Sequence, residues 1–288
     1  MTNLSRSLEN DLLVSRPLAK SGRRNRRAWG TVSAAIVFAH VTLALVAPLL
    51  PLQSITAQDA GSMLSGASRA HWLGTDSLGR DVFSRALHGG RPSIAIAVGA
   101  ALIAALVGVA LGAWAAIAGG WIDEIVMRFV DVLLALPSLL VLLLVASFIG
   151  RDPTVLMATL AAMYCPPIAR VVRGAVLGVL SRDFVTAARL RGTSRAVIML
   201  REVLPNVRGV VITEIAMQFT WILLAFSSLS FLGLGSNPPT PEWGWMIAEA
   251  RTYLTINPLP LVVPMVMLAS LVLAVNSAID KTTQGGAS

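Results

Sequence analysis

Six stretches of this 288-residue chain are apolar for about 20 residues or more, the length an α-helix needs to cross the hydrocarbon core of a bilayer. They run over 29–50, 93–118, 129–149, 154–180, 207–234 and 258–279. Within them only Asp131, Arg170, Arg173, Arg208 and Glu214 carry charge, mostly near an end. A backbone in lipid must satisfy its own hydrogen bonds, and the alternation of a membrane barrel is absent, so helices are expected. Composition agrees: 13% of the residues are charged, about half the share in a soluble domain, roughly 25%. The expected fold is therefore all-α and polytopic, with six transmembrane helices. The apolar content excludes disorder, and the single cysteine, Cys165, excludes a disulfide scaffold.

A net charge of +8 invites a nucleic-acid reading, but the placement of the charge argues otherwise. Seven basic residues lie in 1–28, eight run from Arg170 to Arg208, and Arg128 and Lys281 fall on the same side of six spans. The other side carries Arg69, Arg80, Arg85, Arg91, Arg151 and Arg251. That excess places both termini in the cytoplasm by the positive-inside rule. The basic run at 23–27 abuts the first span and suits anionic lipid better than nucleic acid. A 28-residue leader and so long an apolar stretch exceed a signal peptide, and Pro48 follows Ala47 where cleavage would fall. The first span is thus expected to remain as an anchor. Residues 1–28 then form a basic cytoplasmic tail, 29–50 the first span and 51–92 an outer loop. The core runs over 93–280, with a cytoplasmic loop at 181–206 and a second outer loop at 235–257; 281–288 form a cytoplasmic tail. None of the excursions is long enough to fold alone.

No catalytic constellation stands out. A phosphate-binding GxxxxGK[ST] loop is missing, since neither Lys20 nor Lys281 follows such glycines, so no ATP hydrolysis is expected of this chain. His40, His71 and His88 lack HExxH spacing, and Gly-x-Ser-x-Gly is absent. No catalytic residue, bound cofactor or metal is expected. One alternative is a divalent-metal site from His71, Asp76, Asp81 and His88, although these have no recognised ligand spacing. A simpler reading pairs Asp76, Arg80 and Asp81 in a turn beside Gly74 and Gly79.

The segment 181–206 reads as a helix-turn-helix between two spans. Asp183 can cap a short helix, Gly192 can end it, Thr193 or Ser194 can cap a second, and Pro205 limits that one. Ala187 and Ala188 offer a small-residue surface for a partner, ringed by Arg182, Arg189, Arg191, Arg195 and Arg201. An interfacial loop whose arginines touch headgroups fits the same residues. Within the spans, Gly108 and Gly112 with Ala104 allow close helix contact. Pro166 and Pro167 are expected to kink the fourth span, and Cys165 to pack. The fifth span is the most polar, and Glu214, Gln218, Thr220 and Ser227 are the first residues to consider for a translocation path, with helix-helix hydrogen bonding as the alternative. In the second outer loop Trp243, Trp245 and Tyr253 suit the membrane interface, and contact with a substrate-binding protein fits the same loop equally well.

Three segments carry a family resemblance. Ala187, Ala188, Gly192, Leu204 and Pro205 are spaced as in the EAA segment of ABC-importer permeases, with Thr186 where glutamate is usual. Residues 71–85, including Gly74, Thr75, Asp76, Gly79, Arg80 and Asp81, resemble the LGTDxxGRDxxSR signature of the dipeptide, oligopeptide and nickel permease group. Residues 229–244 resemble that group's SFLGLGxxxPxxxWG stretch, and 119–131 are also typical of it. The resemblance is to the C-type subunit and spans about 70–275, while the residues after Asn276 depart from it.

This resemblance implies a type I ABC-importer permease fold in a bacterial plasma membrane, with the helix around Thr186 to Gly192 seated on an ATPase. It also implies a homologous second permease, two cytoplasmic ATPases that use ATP and Mg, and an extracytoplasmic substrate-binding protein. Short peptides are the expected cargo, with nickel, metal chelates or glutathione-like solutes as alternatives. A secondary transporter driven by an ion gradient is the competitor of another class; it would leave the 181–206 segment unexplained.

Overall fold

The computed structural model describes residues 21–236 and 238–285, with side-chain environments over 31–236 and 238–279. The expectations for 1–20, for the side chains of the 23–27 basic run, and for Lys281 and 286–288 lie outside what is described. Among the described residues ten α-helices follow in order: α1 (Ser21–Val46), α2 (Val82–Ala118), α3 (Gly120–Ala135), α4 (Ser138–Phe148), α5 (Pro153–Leu180), α6 (Asp183–Leu190), α7 (Arg195–Ile198), α8 (Leu204–Phe231), α9 (Trp243–Ala250) and α10 (Leu259–Gly285). No strand occurs among the described residues, only an isolated antiparallel bridge between Thr75 and Asp81. Among the described residues five helices are long and apolar enough to span a bilayer, and α3 with α4 makes a sixth if the pair is one broken span.

Two departures from the sequence reading concern the spans. The second span begins at Val82, so the end of the supposed loop 51–92 is helical. Asp81 caps it, its Oδ2 accepting the Ser84 N–H at 2.7 Å, and Arg85 enters the helix buried and paired rather than solvated. The third span is not continuous. Leu136 takes an extended conformation before Pro137, as steric clash with the proline ring demands, and the two halves meet at 78°. The fourth span, by contrast, runs unbroken through Pro166 and Pro167. Pro166 cannot donate to the Ala162 carbonyl, and the Cys165 thiol donates to it instead at 3.6 Å.

The centre of the bundle is α2 packed along α5, with α8 and α10 alongside. Small residues line the α2 face: Ala97, Ala100, Ala104 and Ala115 are fully buried. A β carbon on Gly108 would stand 2.8 Å from the Cys165 carbonyl oxygen, and Gly112 sits closer still to Ala169. Without a hydrophobic force between helices in lipid, such backbone approach supplies the packing that holds them. One apolar cluster joins Ile96, Leu142, Leu160, Leu223 and Phe226 at mid-bundle. A second joins Ile168, Val172 and Val176 to Val185, Ile198 and Val203, and so seats α6 and α7 on the ends of the spans. The outward faces stay apolar, with Phe38 at 72% and Leu106 at 74% exposure, as a surface facing lipid or another apolar chain requires.

Candidate functional site

The end of the bundle bearing α6 and α7 is here the basic face, and the other end the far face. Helix α6 starts one residue earlier than expected: Arg182 holds the N-cap position in extended conformation, and Asp183 lies inside the first turn with no capping hydrogen bond. Val185 and Ala188 point into the bundle and are buried, while Thr186 and Ala187 are exposed. Leu190 is 85% exposed and Leu200 66%, so the segment presents apolar as well as cationic surface outward. Gly192 ends the helix at φ +77° and lets the Thr193 N–H return to the Ala188 carbonyl at 3.2 Å. The Ser194 hydroxyl then accepts the Val197 N–H at 3.4 Å and opens α7.

Pro205 does not limit that second helix. A π turn at Met199–Val203 joins α7 to α8, and Pro205 falls in the first turn of α8, where a missing N–H costs little. The Leu204 N–H reaches back five residues to the Met199 carbonyl, so backbone bonding continues through the change of register. Leu204 is half-buried and Pro205 exposed. The result is one continuous rod, Arg195–Phe231, from the basic-face hairpin through the bundle.

On the far face the 71–85 segment forms more than a local turn. Gly74 and Gly79 take positive φ, and Asp76 Oδ1 accepts the N–H groups of Leu78 and Arg80 at 2.9 and 3.0 Å. Arg80 donates to Asp76 at 2.6 Å and to Glu249 at 3.0 Å; Arg85 reaches the same Glu249 oxygen at 3.2 Å. The Thr75 hydroxyl donates to the Ser62 carbonyl and accepts the Ser65 N–H. Asp81 pairs not with Arg80 but with His71, at 3.0 Å, while His88 Nδ1 contacts the Ser84 carbonyl. The four residues of the metal alternative thus do not converge; among the described residues no group of three His, Cys, Asp or Glu side chains gathers.

Trp243, Glu242 and Glu249 are placed differently from what the sequence suggested or left unsaid. Trp243 is not an interfacial anchor: it is 1% exposed, and its indole N–H donates to the Ala86 carbonyl at 2.8 Å. Trp245 and Tyr253 are half-buried. Glu242 is wholly buried and caps α9, its two oxygens accepting the N–H groups of Gly244 and Trp245 at 3.0 Å each. Ser93 of α2 donates to the same carboxyl at 2.8 Å. Burial pushes the Glu242 carboxyl above the ordinary carboxylate range, against the pull of these donors. An acid directly before the apolar run 243–248 was the legible signal for that cap.

Along α8 the polar residues separate onto two faces. Thr220 lines a cavity of about 340 Å³ with Trp221, Leu224, Val272 and Asn276. Ser227 lines a second of about 300 Å³ with Leu224, Phe231, Gly244 and Leu268. The shared Leu224 makes the two openings neighbours on one helical stripe. Glu214 and Gln218 pair with each other at 2.6 Å and line neither cavity.

A bundle of broken and unbroken spans, with a short helical hairpin seated on one end and feeding a spanning helix, defines a multi-pass helical membrane protein. The chain belongs to the family described as binding-protein-dependent transport system inner membrane component, which matches residues 108–281. It is therefore a multi-pass inner-membrane permease subunit of a binding-protein-dependent ABC importer, a class that works with a partner permease, an ATPase and a substrate-binding protein. It is 35% identical over 268 residues to the glutathione transport system permease protein GsiD of Pectobacterium atrosepticum, covering 92% of this chain and 89% of that one. The proteins of the same name from Shigella dysenteriae and Escherichia coli are 37% identical, over 91% of this chain and 88% of theirs. In fold it is similar to a chain of the MetNI methionine ABC transporter solved in inward facing conformations, with a TM-score of 0.59 at 16% identity, over 70% of this chain and 96% of that one.

Proposed function

We propose that this subunit forms half of the path for small peptide-like solutes and is driven by a separate ATPase that grips α6. The reading rests above all on the continuity of Arg195–Phe231, which ties the exposed α6–α7 hairpin to the helix whose Thr220 and Ser227 line cavities. Thr186, Ala187, Ala188 and Gly192 form the coupling contact, and Leu204 and Pro205 its junction with the span. Both termini and the hairpin lie in the cytoplasm, where the arginine excess belongs. A homologous permease completes the pore, two ATPases bind and hydrolyse ATP with Mg, and a binding protein delivers cargo at the far face. This chain itself holds no nucleotide. Glutathione is the leading cargo, because relatives more than a third identical are named for its transport and it is itself a tripeptide.

Reconstitution of the complete importer in proteoliposomes tests this. ATP-dependent uptake of labelled glutathione or short peptides that needs the binding protein is expected. Uptake that persists with an inactivated ATPase and follows a proton or sodium gradient would overturn it.

A further inference from the structure

A cavity of about 440 Å³ opens on the basic face beside the Gly192 turn. Arg189, in the last turn of α6, and Arg195, the first residue of α7, both line it, with Thr193 between them in sequence. The turn thus brings arginines of two different helices to one opening. The lining is mostly polar; Leu180, Ile198 and Met199 supply its apolar part. Both arginines are exposed, and neither meets a carboxylate among the described residues. The segment 181–206 holds five arginines against two acids, Asp183 and Glu202, so it carries an excess of positive charge. Leu190 and Leu200 directly follow the lining residues Arg189 and Met199 and are the most exposed large apolar side chains of that segment.

Arginines without a carboxylate, set beside open leucines, call for a cover that is acidic and apolar at once. A free anion supplies only the first property. A protein surface with an aspartate or glutamate among apolar side chains supplies both, and excluding water from the contact strengthens the pairing. The volume is many times the roughly 30 Å³ that one water takes up in the liquid, so it admits a whole side chain rather than one small ion.

We infer that this cavity is a socket for an aspartate or glutamate side chain of the ATPase, its carboxylate gripped by Arg189 and Arg195 together. The inference rests on the reading of α6 as the coupling contact and adds the chemistry of what is held there. An acid bound by both arginines ties α6 to α7 across the Gly192 turn, so a pull on it moves the hairpin as one body. Arginine suits this role because its planar fork meets a carboxylate through two parallel hydrogen bonds, which lysine cannot form.

The assembled pair of permeases in detergent is titrated with the ATPase subunit, and binding is read by biolayer interferometry. R189E/R195E is expected to weaken binding about tenfold or more, because it turns attraction into repulsion. R189K/R195K, which keeps the charge, should lose far less. R128E/R208E, an equal charge change at exposed arginines outside the hairpin, should bind as wild type does. Uptake by R189E/R195E is then restored by selection among random variants of the ATPase, and replacement of one aspartate or glutamate by lysine or arginine is expected. Four results would each overturn the socket while leaving the coupling reading in place: equal binding by R189E/R195E and wild type, as large a loss in R189K/R195K, as large a loss in R128E/R208E, or a selection that yields no acid-to-base suppressor. A wild-type pair that fails to bind the ATPase would overturn both.

Discussion

Gly108 faces the backbone of Cys165 so closely that a β carbon would lie 2.8 Å from both the Cys165 carbonyl oxygen and Ile168 Cβ. One turn on, Gly112 meets Ala169 in the same way, and neither backbone has room to retreat. Gly112→Leu should therefore destabilise the bundle by at least the usual cost of overpacking, about 1–3 kcal/mol. Gly174→Ala, in open space on α5, should not. Thermal unfolding midpoints in detergent read the difference; equal midpoints for the two variants would refute the close-approach account.

Gly192→Val tests the hairpin. Nothing lies within 4 Å of a β carbon there, so the penalty is purely the left-handed backbone, about 1–2 kcal/mol. The turn should relax toward negative φ and misplace α6 relative to α7. Membrane insertion should be normal and ATP hydrolysis by the assembled importer should continue, while solute uptake drops severalfold. Unchanged uptake would remove the hairpin from the coupling role.

Arg85 is 2% exposed and shares Glu249 with Arg80, so removing one member leaves buried charge uncompensated. Arg85→Met should cost about 3–5 kcal/mol, and R85M/E249M distinctly less than the sum of the single changes. Because the cluster is shielded, raising salt should alter its contribution little. A double-mutant cycle of unfolding midpoints, run at low and high salt, measures both expectations.

Glu242 predicts a pH dependence. Its folded carboxyl titrates above its unfolded value, about 4.3. Folding therefore takes up a proton between those two values. Stability from this site is greatest below about pH 4.3, falls as pH rises to the raised folded value, and is level above it. Glu242→Gln should flatten that slope while leaving the midpoint at neutral pH within a few degrees. A slope that survives in the glutamine variant would place its origin elsewhere.

The spans were readable because lipid imposes a simple demand on length and polarity, and Gly192 and Ser194 were readable because turn and cap chemistry is local. What escaped was decided by distant partners. Arg85 looked like loop charge because nothing nearby in sequence announces Glu249, whose carboxylate lets the helix begin at Val82. Trp243 looked amphipathic, yet its N–H meets a carbonyl 157 residues away. Pro205 looked like a stop, but a π turn absorbs its missing donor and the helix continues. Pro137, inside a uniformly apolar stretch, was masked by hydropathy although its steric effect on Leu136 is entirely local.

The uninterrupted course of Arg195–Phe231 also limits how this subunit can respond to force. At about 1.5 Å per residue its 37 residues form a strut on the order of 55 Å long. A strut whose backbone bonding passes through the π turn at Met199–Val203 carries a tilt along its length, so a rocking of the hairpin would be felt where Phe231 meets the cavity wall shared with Gly244 and Leu268. The 78° break between α3 and α4 denies the third span that continuity.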